Sequence, residues 1–276
     1  MEASTSSRLN QPIRIWYQLI SSETRLKNSV AATRQVCERA AAPGTTVDVR
    51  GTRHGALGDQ FRIFYHYDVR EIIENGLALR QTGGYDAFVI ANSLDPALVE
   101  LREMLNIPVL SFMEVCCFTA CTMGERFALV TPNQRMVPRY EEIVRGYGLG
   151  SRLSGVEALR FDNISGFDQV FTDPKVGDDL MNQMQDASRR AIAKGAEVII
   201  SCGPSAAFTS LRGVFEIDKV PLLDCYSLMV KQAEAMVGMH RLTGVPVSRR
   251  LLYQTPPDSL IRQCGEVRGI DALRNG

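Results

Sequence analysis

An excess of charge of either sign, a long hydrophobic run and abundant histidine are all missing from this chain of 276 residues. Lys plus Arg equals Asp plus Glu at 31 each, so net charge offers nothing to a polyanion and nucleic acid is not an expected partner. No apolar stretch approaches the ~20 residues that span a bilayer, and no basic-then-apolar signal segment opens the chain. No membrane contact is expected, and a cytoplasmic location is predicted. Seven cysteines, an odd number, mostly fall within apolar helix-like or strand-like patterns. In a reducing compartment they read as free thiols. Cys117 and Cys121 stand four apart on a predicted helix, but structural zinc needs four ligands and no His lies near them, so no metal is expected. GxGxxG, Walker, HExxH and GxSxG motifs are missing from any strand-to-helix context, which removes the nucleotide, zinc-hydrolase and serine-hydrolase readings.

Apolar residues make up 45% of the chain and charged residues 22%, the balance of an ordinary globular protein. The length suits one large or two small domains. The first twelve residues, MEASTSSRLNQP, are polar and without apolar period, and read as a mobile leader. From Ile13 on, strand-like runs (IRIWYQLI, TTVDVRG, DAFVIA, IPVLS, RFALVTP, residues 155–161, AEVIIS, VPLLD) alternate with helix-period segments. Val/Ile-rich runs separated by helices predict parallel sheets covered on both faces.

The most informative feature is internal. GGYDAFVIANSLDPALVELREMLNIPVLSFMEVC and KGAEVIISCGPSAAFTSLRGVFEIDKVPLLDCYSLMV share one order of parts: Gly, buried strand, polar turn, short helix, a strand with Pro, and a helix. Asn92 and Cys202 are read as equivalent, each directly after the buried strand, and Pro108 and Pro221 as equivalent in the second strands. The expected fold is therefore α/β with two pseudo-symmetric lobes, 13–110 plus 224–276 and 111–223. Ligands of open α/β sheets bind beyond the carboxyl ends of the strands, so both turns are expected at one cleft.

Cys202 carries the expected chemistry. In ISCGPSAAF, Gly203 allows close backbone approach and Pro204 suits a helix start; a thiol there is expected to have a lowered pKa and to act as base or nucleophile. A buried structural cysteine is the alternative. Asn92 and Ser93 offer an amide, a hydroxyl and backbone N–H groups to an anion, while Asp95, before Pro96, reads as the N-cap of the next helix. Thr131 and Asn133 in VTPNQ either bind a carboxylate or cap the following helix. His66 either aids proton transfer or packs in the core. Phe61, Phe64, Tyr65 and Tyr67 either line the cleft or plug the core.

With Cys202-Gly203 after one strand, Asn92-Ser93-Leu94-Asp95-Pro96 in the paired turn and Asp224 after VPLL, the chain resembles the aspartate/glutamate/hydantoin racemase superfamily from about Ile13 to about Met239. The likeness is strongest to its hydantoin racemase and arylmalonate decarboxylase branches. The resemblance implies two similar lobes around a cleft, no metal or coenzyme, and two cysteines on opposite faces of a small carboxylate or cyclic amide. Cys202 matches the second of these cysteines, whereas Asn92 occupies the place of the first. By position, Ser93, Thr131 and the Gly203 backbone would hold a carboxylate or enolate oxygen. The leading expectation is a cofactor-independent isomerase with Cys202 moving the proton. A one-cysteine decarboxylase, or a hydrolase or lyase with Cys202 as nucleophile, follows from the Asn92 replacement. A non-catalytic small-ligand binding protein is the third. A homo-oligomer is expected, and the segment after His240, with its TPPDS loop, would brace a neighbour or cover the cleft.

Overall fold

In the computed structural model, residues 9–161 and 164–274 are described, the side chains of residues 164 and 165 excepted. Most of the expected leader, residues 1–8, lies outside the described residues.

Strand β1 (Ile13–Ser22) is the centre of the first sheet, with β2 (Thr45–Thr52) on one side, and β3 (Ala87–Ile90) then β4 (Val109–Ser111) on the other, all parallel. All four residues of β3 and all three of β4 are buried. That is why these segments read as unbroken apolar runs, since a strand covered on both faces has no solvent side for polar residues. Helices α1 (Lys27–Ala40) and α2 (Arg62–Thr82) connect the first three strands, and α3 (Leu98–Met104) leads to β4. Helix α4 (Phe112–Met123) then carries the chain to the second sheet.

That sheet has β5 (Phe127–Thr131) between β6 (Leu153–Ala158) and β7 (Val198–Ser201), again parallel. Helix α5 (Val137–Gly146) joins β5 to β6, α6 (Pro174–Ala193) joins β6 to β7, and α7 (Ser205–Leu211) follows β7. The VPLL strand is shorter than its pattern predicts. Only Val220–Pro221 (β9) pairs in a hairpin, with Glu216–Ile217 (β8), because Pro221 has no N–H to give a longer ladder. Just beyond, Leu222 bridges Ile199 of β7 in parallel, and Leu223 N donates to Ile199 O at 2.9 Å. The order β6-β5-β7-β9 thus repeats β2-β1-β3-β4. Pro221 stands where Pro108 stands, since Phe88 lies opposite Val109 and its N donates to Pro108 O.

The main core is a layer shared by the two sheets. It takes Ile15, Tyr17 and Val89 from the first, Leu129, Val198 and Ile200 from the second, and Cys116, Cys225 and Met229 from α4 and α8 (Cys225–Thr243). Separate clusters cover the outer faces. Among the described residues no helix is long and apolar enough to cross a membrane.

Candidate active site

The chain leaves both β3 and β7 in the same way. Ala91 N donates to Gln18 O at 2.8 Å, one step past the pair Gln18–Ile90; Cys202 N donates to Val130 O at 2.9 Å, one step past the pair Val130–Ser201. Cys202 is therefore the counterpart of Ala91, and Asn92 is the counterpart of Gly203. This corrects by one residue the equivalence drawn from the sequence.

One residue matters because side chains alternate along a strand. Val198, Ile200 and Cys202 point into the shared core, while Ile199 points to the outer cluster. The Cys202 side chain has no solvent exposure, and its Sγ lies 3.9 Å from the Ile200 carbonyl. Burial, then the neighbouring Cys225, Cys117 and Asp95, push its thiol pKa well up. The expected lowering by a helix end fails because the sulfur faces hydrocarbon and not the turn.

What the turns do bring together is a cavity of about 30 Å³ lined by Asn92, Ser93, Gly203, Pro204, Tyr226 and Asp59, among others. Asn92 accepts from Leu94 N at 2.9 Å through Oδ1, so its Nδ2 donor is what it has to offer a ligand. Ser93 Oγ pairs with Tyr140 Oη at 2.6 Å. Gly203 has φ +76, and a Cβ there would lie 3.3 Å from Pro132 Cγ, so glycine fits this close approach. Its carbonyl accepts from the Tyr226 hydroxyl at 3.4 Å.

Asp59 was not singled out by its sequence context. In GALGDQF, between β2 and α2, a carboxylate among glycines reads as a solvated loop. In the fold it is 1% exposed, and its Oδ1 has no hydrogen-bond partner. Burial, with the charge of Asp68 adding to it, pushes the Asp59 carboxyl up to about 6, against the opposing pull of Arg139. Arg139 donates to the main-chain carbonyl of Asp59 at 2.7 Å and stacks over the Tyr65 ring.

Other expected residues lie elsewhere. Thr131 is fully buried at the end of β5, and Asn133 spends its Nδ2 on Phe161 O at 3.1 Å, tying two loops together; neither lines the cavity. His66 is exposed on α2, with Tyr65 and Asp68 on the inward side instead. Phe61, Phe64 and Tyr67 are exposed as well. Asp95 does not cap the short helix after it, which has Ala97 at its N-cap. With φ +47 it reaches across to α4, where it accepts from Met113 N, Glu114 N and Ser111 Oγ, and also from Tyr147 Oη. Asp224 caps α8 and pairs with Arg39 at 3.1 Å. Among the described residues no group of three or more His, Cys, Asp or Glu is placed to hold a metal.

Two parallel sheets repeated in one order, with a small cavity of mixed lining where the turns after β3 and β7 meet, define a pseudo-symmetric α/β protein with its candidate site at the carboxyl ends of the strands. The chain belongs to the Asp/Glu/hydantoin racemase family, whose model matches residues 28–233. It is 29% identical to a hydantoin racemase from Rhizobium meliloti over 175 residues, 63% of this chain and 67% of that protein. Among solved structures it is similar to an allantoin racemase from Klebsiella pneumoniae, with TM-score 0.74 and 23% identity over 88% of this chain and 94% of that one. Arylmalonate decarboxylase shares the fold more distantly, with TM-score 0.53 and 14% identity over 82% of this chain and 92% of that one.

Proposed function

We propose that the chain catalyses proton transfer at a carbon next to a carbonyl of a small carboxylate or cyclic amide, as a cofactor-independent isomerase. The observation that carries this reading is the meeting of the Asn92-Ser93 and Gly203-Pro204 turns on one cavity in a member of this family. An enolate oxygen needs donors fixed in advance, and the Asn92 amide, whose Oδ1 is already used by Leu94 N, keeps its Nδ2 as the donor at hand. A cavity of about 30 Å³ is too small for a hydantoin ring. Binding therefore requires the cavity to widen.

Cys202 is the notable thiol of this reading, yet its sulfur reaches the cleft only if the end of β7 rotates. A decarboxylase, which needs to protonate only one face of an enolate, is the second reading, supported by the absence of a thiol at Asn92. We also propose self-association through the apolar surface of the C-terminal part, where Leu242, Val245, Leu251 and Leu252 are exposed.

The test is α-carbon hydrogen–deuterium exchange in D2O, followed by NMR, with 5-methylhydantoin, allantoin and phenylmalonate as probes. Exchange or loss of optical rotation with a cyclic amide supports the isomerase, and carbon dioxide release from phenylmalonate the decarboxylase. Inertness toward all three, at protein concentrations that saturate any binding, overturns the catalytic reading.

A further inference from the structure

Which hydrogens the cavity offers to an anionic oxygen depends on how one pair of hydroxyls shares them. Ser93 and Tyr140 both line the cavity, both are buried, and their oxygens lie 2.6 Å apart. Two hydroxyls carry two hydrogens, and the bond between them uses one. A phenol is the stronger acid and the better donor, and an alkyl hydroxyl is the better acceptor, so the bond is strongest when Tyr140 donates. Burial pushes the Tyr140 phenol well up, so it keeps that hydrogen at any working pH. The Thr131 hydroxyl, buried at the end of β5 without a hydrogen-bond partner of its own, also acts on the Tyr140 oxygen. A hydroxyl favours that oxygen by turning its hydrogen toward it, which again leaves the Tyr140 hydrogen for Ser93. Ser93 Oγ makes no other hydrogen bond among the described residues, and its own hydrogen is left over on the cavity wall.

We propose that Tyr140 is a positioning residue: its hydroxyl donates to Ser93 Oγ and so turns the Ser93 hydrogen into the cavity, toward the substrate oxygen that takes up charge as the α-carbon loses its proton. A hydroxyl that accepts one hydrogen bond donates the next more strongly, so Tyr140 both aims and strengthens the Ser93 donor. Asn92 Nδ2 is the neighbouring donor on the same turn, since Asn92 Oδ1 is held by Leu94 N. Ser93 comes from the turn after β3 and Tyr140 from α5, so the donor is set only when the two halves of the cleft are in register. The inference rests on the proton-transfer reading. It concerns the oxygen that takes up charge and leaves the group that moves the proton as that reading has it.

The decisive comparison is exchange of 5-methylhydantoin in D2O by the full chain, by Ser93→Ala, by Tyr140→Phe and by the double variant, with kcat and KM measured separately. Ser93→Ala should lose roughly 10²–10³-fold in kcat, the weight of one oxyanion donor. Its KM should hardly move, as for an interaction made only in the transition state, and Ser93→Thr, which keeps the hydroxyl, should recover most of the loss. Tyr140→Phe should lose about tenfold in kcat, the weight of one hydrogen bond, and nothing further in the Ser93→Ala background. A residue that only stabilised the fold would leave the kcat of the folded protein unmoved. If the wild type exchanges and both single variants keep kcat within about threefold, far short of the effect of an oxyanion donor, the inference is overturned while the function stands. Losses that simply add in the double variant overturn it too. So does a larger loss from Tyr140→Phe than from Ser93→Ala, which would make Tyr140 itself the donor. If the wild type is inert to every probe, both fall. Should Tyr140→Phe fail to fold, NMR of the wild type carrying ¹³Cζ-labelled tyrosine decides. A Tyr140 resonance that shifts when 5-methylhydantoin binds supports the role, and an unmoved one overturns it.

Discussion

The hydroxyls of Ser93 and Tyr140 lie 2.6 Å apart, and both residues are buried. Ser93 belongs to the turn after β3 in the first sheet, and Tyr140 to α5 beside the second. This bond fastens the two halves of the cleft to each other at the level where the turns meet. Tyr140→Phe would leave the Ser93 hydroxyl buried without its partner, so we expect a loss of about 1–2 kcal/mol. Chemical denaturation measures it. Adding Ser93→Ala should cost less than the sum of the single changes, because the two residues share one interaction; strict additivity would show that the bond does not couple them.

Thiol labelling should separate a core cysteine from a cleft nucleophile. Cys202 is fully buried and its pKa is raised, whereas Cys121 and Cys264 are partly exposed. At pH 7.5 to 8, iodoacetamide should label Cys121 and Cys264 first, and Cys202 only as the protein opens. Peptide mapping by mass reads the order. Labelling of Cys202 ahead of those two would restore it as the reactive group of the cleft.

Gly203 should tolerate no side chain. Its φ of +76 favours glycine, and Pro132 stands 3.3 Å from an added Cβ. Gly203→Ala is expected to cost about 1–3 kcal/mol through strain in the turn, seen as a lower melting temperature. An unchanged melting curve would mean that the turn relaxes at little cost.

The Asp59 carboxyl makes stability depend on pH in a direction opposite to that of a salt-bridged aspartate. Its folded pKa of about 6 lies above the ordinary 3.8, so the folded state holds this proton more tightly than the unfolded chain. The resulting stabilisation is present below pH 4 and is lost as pH rises through 6. Two pH units correspond to about 3 kcal/mol, so at pH 8 Asp59→Asn should be more stable than the wild type. The difference should shrink toward pH 4. Denaturation of both proteins across this range checks it, and a less stable Asp59→Asn at pH 8 would identify Asp59 as a structural residue.

The elements were largely legible in the chain. Val198 to Ser201 and Ala87 to Ile90 are recognisable because parallel strands covered on both faces contain little but apolar residues, and the Pro108/Pro221 pairing survives in the sheet. Asn92, Ser93, Gly203 and Pro204 were also legible as cleft residues, because polar turns after such strands have few other places to be. Thr131, Asn133 and His66 do not line the cavity, and the sequence left their roles open, since residue type and proximity to a strand end do not say which way a side chain turns.

Sequence by itself determined the α/β class, the duplicated order of strands and the two turns, because these follow from apolar patterning and turn chemistry, which are local. Only the tertiary structure decided which groups face the cavity. The hydrogen bonds that close β3 and β7 set Cys202 level with Ala91 and turn its sulfur into the shared core. The packing of residues 53–61 against both turns brings in Asp59, a long-range contact that leaves no periodic trace along the chain.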